Sequence, residues 1–287
     1  MIRFRARTNT AGSKRQILFC LLLALSGFIV ALWLNLPLAP LLNQAQTLAG
    51  KQGLQLEITG PGRAFPFGLQ AEQVQIGHRQ MEHAPIELSE VDIRPLWGSL
   101  FSSNPGLNIS ADLFAGNLVA AAHSDGEIEL ELNRLQLRET LKPKLPLEIA
   151  GTLTTGTFSG RLPLAGKNQG KLELKLDDVA LLGLKEIGGA QDRLSLGSIR
   201  LQAESRGSLL QISQIEAIGG ALEIAGSGTL SLGRNPASSR LALSVILKPT
   251  DLLDPGFRDL LSLLGQPGRD GAYRFRLTGP LNAIQMR

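Results

Sequence analysis

Cysteine is almost missing from this sequence. Cys20 is the only one, so no disulfide within the chain can brace it. Histidine is nearly as scarce, at His78, His83 and His123, whereas a zinc site needs three or four converging ligands. His78 and His83 flank Glu82 across an expected turn from Gly77 to Pro85, and solvated hairpin side chains are the simpler reading. No Ser sits in a Gly-x-Ser-x-Gly elbow, because Gly226-Ser227-Gly228 lies inside an alternating run. Gly219-Gly220 has no Lys-Ser/Thr after it and no strand-to-helix context, which removes a phosphate loop. Asp177-Asp178 would point its carboxylates to opposite faces of a continuing strand, so it reads as a strand end rather than an acid–base pair. An enzyme, a metal centre and a bound cofactor are therefore not expected.

Acidic residues are missing from Met1 to Arg15, where Arg3, Arg5, Arg7, Lys14 and Arg15 stand. Those basic residues make the formal net charge of +4, since the rest of the chain is close to neutral. With no basic stripe beyond them, a nucleic-acid partner is not expected. Directly after this tail, Ile17 to Leu34 reads ILFCLLLALSGFIVALWL without one charge. Wound as a helix, it is about 27 Å long, near the ~30 Å hydrocarbon core of a bilayer. A cleavable signal peptide has a shorter apolar stretch and a small-x-small site, and no Ala-x-Ala follows here. The run reads as an uncleaved anchor, extended to Leu38, with Trp33 at the far interface. Basic residues stay on the cytoplasmic side. Three segments are thus expected: a cytoplasmic tail 1–16, a transmembrane anchor 17–38 and an exported β-rich domain 39–287.

Aromatic residues are few, at 5%, so the core must be built from Leu, Ile, Ala and Val. Leu41, Leu42, Ala45, Leu48 and Ala49 have helical spacing, which predicts a short amphipathic helix over Pro40 to Gly53. From Leu54 onward the period becomes 2. Leu54, Leu56 and Ile58 alternate with Gln55, Glu57 and Thr59. Leu69 and Ala71 give way to Val74 and Ile76 with a one-residue slip, as a bulge produces, and Ile86, Leu88, Val91 and Ile93 repeat it. Similar runs follow to Tyr273, Phe275 and Leu277, separated by Gly, Asn and Asp at hairpin intervals. One helix is expected late in the chain, with Asp254 as N-cap and Pro255 at its first position, followed by Phe257, Leu260, Leu261, Leu263 and Leu264 and ending at Gly265.

The fold class is therefore mainly β: a transmembrane helix, then a long, curved, mostly antiparallel sheet with one short C-terminal helix. Each strand has an apolar face and a wet one. Such a sheet folds into a sandwich or curls into a trough, and alternation tells only which side is dry. The candidate trough residues are Leu222, Ile224, Leu241, Leu243 and Val245.

Several stretches in order resemble the type II secretion system protein N family. They are the basic start and single helix, Phe65-Pro-Phe-Gly-Leu-Gln-Ala-Glu-Gln-Val-Gln-Ile76, Val91-Asp-Ile-Arg-Pro-Leu96, the Gly219 to Leu230 element, and Asp270 to Gly279. The resemblance implies a component of the bacterial inner membrane, with a periplasmic domain that assists protein export through contacts with other type II secretion proteins. The anchor and glycine-punctuated strands are similar also to AsmA-like proteins, which implies a β trough that binds or transfers lipid. On the order of 14 strands at ~4.8 Å would reach roughly 65 Å, part of an envelope gap only. The bilayer, other secretion proteins and lipid are thus the expected partners.

The charge asymmetry predicts a cytoplasmic N-terminus, with residues beyond about 40 in the periplasm. A phosphatase fused after Arg287 is expected to be active outside the cytoplasm, and activity only in a fusion placed before Ile17 would refute that orientation.

Overall fold

Among the described residues, three α-helices and fifteen strands follow from these patterns. The computed structural model describes residues 10–35, 37–51, 53–78, 85–99, 102–142, 145–187, 191–233 and 238–286. Helices α1 (Thr10–Asn35) and α2 (Leu38–Lys51) come first. Then come β1 (Leu54–Thr59), β2 (Gly62–Ala64), β3 (Gly68–His78), β4 (Ile86–Pro95), β5 (Gly106–Leu113), β6 (Gly116–His123), β7 (Glu127–Lys142) and β8 (Leu145–Arg161). After them run β9 (Gln169–Leu182), β10 (Arg193–Arg206), β11 (Leu209–Gly219), β12 (Leu222–Ser231) and β13 (Arg240–Pro249). Helix α3 (Pro255–Leu264) precedes β14 (Tyr273–Pro280) and β15 (Gln285–Met286).

All the described strands form one 15-stranded sheet in sequence order, with β2 joining β3 on the edge that β1 also uses. Every pairing is antiparallel. Tight turns make this possible. Phe114 and Ala115, at φ 47 and 58, form a two-residue loop between Leu113 and Gly116, the left-handed geometry that matches strand twist. The sandwich alternative is not realised, because no second sheet exists among the described residues.

The slips seen in the sequence are real and keep the dry face dry. Val74 pairs with Leu88 and Ala71 with Val91, so β3 and β4 change phase at the same level, where Glu90 has φ 50. Arg134, at φ 56, does the same between Leu132 and Leu135. An odd residue in a strand would otherwise turn every later side chain to the wrong side.

The anchor expectation needs a correction at its end. Helix α1 stops at Asn35, whose Nδ2 donates to the Ala31 carbonyl oxygen at 2.8 Å, and Leu38 already belongs to α2. Pro37 cannot donate to a helical carbonyl, so α1 does not run on to Leu38. Among the described residues, no helix is long and apolar enough to cross a membrane. The side chains of Ile17, Leu18, Leu22, Ile29 and Leu32 lie outside those described, as do residues 1–9 of the basic tail, His83 and Glu82. The exposed Phe19, Leu21, Leu23, Leu25 and Phe28 belong to α1.

Helix α2, about 21 Å long, lies along β1, about 20 Å long, on the sheet's first edge. At the far end α3 begins as its sequence predicts: Asp254 Oδ1 accepts from the Gly256 N–H at 2.8 Å, with Pro255 next to it. Such a cap stabilises by about 1 kcal/mol. Leu253 and Leu261 then bury against Val179, Leu194, Leu196, Leu222, Tyr273 and Phe275, the largest core of the molecule. Leu260 was expected to share this contact, and its side chain lies outside those described.

Leu261 is 4% exposed and Leu252, just before the helix, is 74% exposed. Leu261→Asp should lower stability by on the order of 3–4 kcal/mol, because an unpaired charge would enter an apolar contact. Leu252→Asp should change little. Urea unfolding of the full chain in detergent reads both, and equal midpoints would show that α3 does not seal this core.

Candidate functional site: an uncovered apolar sheet face

The hairpin of β12 and β13 is the clearest sample of the dry face. Leu222 pairs with Pro249, Ile224 with Leu247, Gly226 with Val245, Gly228 with Leu243 and Leu230 with Leu241. Paired residues in an antiparallel ladder project to the same side. The five sequence-predicted residues Leu222, Ile224, Leu241, Leu243 and Val245 therefore share one face. Leu222 is buried beneath α3, whereas the other four are half-buried.

The same face continues in both directions. Val245 is level with Phe275 in β14 and, through Gly226, with Ile215 in β11. Ile215 pairs with Leu201, and Leu201 with Leu174. Leu174 pairs with Gly156, Gly156 with Leu132, and Leu132 with Leu118. Leu118 pairs with Ala111, which belongs to a second core with Ala71, Val74 and Val91. One apolar row thus crosses the sheet from β14 to β5 without a charged residue. Leu113, Leu135 and Leu153 make a third buried patch between the other two.

Sequence reasoning singled out the large side chains and missed the glycines opposite them. Gly226 and Gly228 leave the row without side chains where Val245 and Leu243 face them. A Cβ on Gly228 would collide with the Ala242 carbonyl oxygen, so glycine is needed for the strands to approach. The signal was available in principle, since both glycines fall on the apolar phase of β12.

The opposite face is polar, and Asp177 holds it together. The expected strand end is instead a bulge, with Asp178 at φ 56 and the register shifted between Ala150 and Thr152 and between Leu153 and Thr155 on one side, and between Gly197 and Ile199 on the other. Asp177 accepts from Thr154 Oγ1 at 2.5 Å and from Ser198 Oγ at 2.7 Å, with Lys175 Nζ at 3.5 Å. The hydroxyls of Thr154 and Ser198, then the Lys175 charge, hold its carboxyl below the usual carboxylate value against the cost of partial burial. Both oxygens are committed to β8 and β10, which suits a brace across three irregular strands.

A cleft of about 300 Å³ lies under the start of α3, lined by Leu184, Arg193, Leu194, Leu252, Asp254 and Phe257. Among the described residues no three His, Cys, Asp or Glu converge as metal ligands would. No protein-family model, curated protein or solved structure matches the chain.

Asp177→Ala should lower the unfolding midpoint at neutral pH. Because the folded carboxyl titrates below its ordinary ~3.9, its contribution is complete above about pH 4 and fades as pH falls through the lower folded value. The gap between wild type and variant should therefore narrow in acid. A gap that stays constant down to pH 2 would assign the loss to packing alone.

Proposed function

We propose that this protein is a membrane-anchored carrier of acyl chains, its sheet bent into a trough with the row through Leu222, Ile224, Leu241, Leu243 and Val245 inside. The observation that carries this reading is the single sheet: its apolar face continues across the strands with no second sheet over it among the described residues. Apolar surface of that extent is unfavourable in water, at about 25 cal/mol per Å². Acyl chains satisfy it without demanding directional contacts. The mid-strand bulges supply the bend, and α3 stops one end of the row. The anchor is the uncharged run in α1, and the site of action is the periplasmic side of a bacterial inner membrane.

A second reading has its own observation. On its outer side β14 pairs with β15 only at Leu277 and Thr278, leaving Tyr273 to Arg276 without a partner strand among the described residues. An open edge of this kind accepts a strand from another protein. It fits the type II secretion reading, in which the domain docks other periplasmic components during assembly and export.

The two differ in which residues touch what. A photo-crosslinking residue at Leu243 should capture radiolabelled phospholipid, and one at Ser244, on the opposite face, should not. Equal capture, or capture at neither position, would remove lipid carriage. Protein adducts at Arg274 or Arg276 instead would favour the secretion scaffold.

A further inference from the structure

The two tryptophans of this chain stand far apart in sequence and close in space. Trp33, near the end of α1, meets Phe67 edge to face with ring centroids 5.7 Å apart. Phe67 meets Trp97 in the same manner at 5.6 Å. Phe67 comes from the turn between β2 and β3, and Trp97 from the segment after β4. Beside them Phe65 is 84% exposed and Trp97 50% exposed. Large rings left in water at neighbouring turns form a patch, and such patches mark contact surfaces.

Position decides what the patch contacts. It adjoins the last turn of α1, where Leu34 is itself exposed, as are Phe28 and Val30 one to two turns earlier. Two ring contacts place Trp97 within about 11 Å of Trp33. Trp rings favour the boundary between acyl chains and headgroups, a layer about 5–8 Å deep on each side of the hydrocarbon. The neighbouring turn at the same end of the sheet is different. There Asp125 accepts from Arg161 at 2.7 Å and from Asn104 at 3.2 Å, a polar arrangement suited to water. At this end of the sheet, among the described residues, the exposed rings lie at the turns nearest α1.

We infer that Phe65, Phe67 and Trp97 form a lipid-interface docking site, which seats the first strands on the leaflet where α1 emerges. This rests on the anchor reading of α1. Its occupant is the headgroup–acyl boundary of a phospholipid bilayer. Seated there, the apolar face of β3 and β4 opens beside the leaflet, so an acyl chain reaches Leu69 and Ile93 without crossing open water.

The two tryptophans make the test direct, because replacing either leaves the other as sole reporter. The full chain is reconstituted into phosphatidylcholine–phosphatidylglycerol vesicles, with and without brominated acyl chains. In Trp33→Phe, Trp97 should lose most of its emission to the brominated lipid and resist iodide. Adding Phe65→Ser should restore iodide access. If Trp97 is open to iodide and untouched by bromine while Trp33 in Trp97→Phe is quenched, docking is wrong and the anchor stands. If neither tryptophan senses bromine, the anchor reading falls and docking falls with it. Shielding of Trp97 from both quenchers would assign the patch to protein contact and overturn the inference.

Discussion

The structure depends on keeping one side of a single sheet out of water. A sandwich solves that problem by pairing two sheets, and the described residues form only one. What the chain has instead is α3 over the last strands and three separate buried patches spread across the sheet. Burying one Leu fully stabilises by about 1.5–3 kcal/mol, so half-buried rows leave much of that gain unrealised. The bulges, the glycines opposite Leu243 and Val245, and the placement of α3 all serve the same requirement. They keep the dry side in phase, smooth it or close it.

Much of this was legible in the sequence. Period-2 alternation gave the strands, and one-residue slips at Ala71/Val74 and Val91/Leu88 gave the bulges, because a charge cannot face the dry side without a partner. The N-cap and proline gave α3. What alternation cannot encode is the object facing a strand, so the number of sheets stayed open until the pairing order was known. Boundaries set by small local devices were also hidden. Asn35 closing α1 on Ala31 is one case. The left-handed pair Phe114-Ala115 is another, since neither residue type announces such a turn.

The candidate site divides in the same way. Leu222, Ile224, Leu241, Leu243 and Val245 were found because strand phase alone puts them together. Asp177 was misread because its role lies across strands: Thr154 and Ser198, the donors that engage it, come from either side in the sheet and far away in sequence. The ring contacts of Trp33, Phe67 and Trp97 are equally nonlocal. No sequence period links those positions.

The sheet order has a consequence for how such a chain can change. Apart from β2, each strand pairs with the strand before it and the strand after it, so contacts along the sheet are close to one-dimensional. Apart from the α3 connection between β13 and β14, loop closure between neighbours is short, and no distant pairing must wait for another to form. A hairpin added or removed at a turn such as Gly207-Ser208 shifts the later strands outward as a block and leaves their own ladders intact. Length along the row is thereby a quantity that duplication can tune, two strands at a time, by about 10 Å per step.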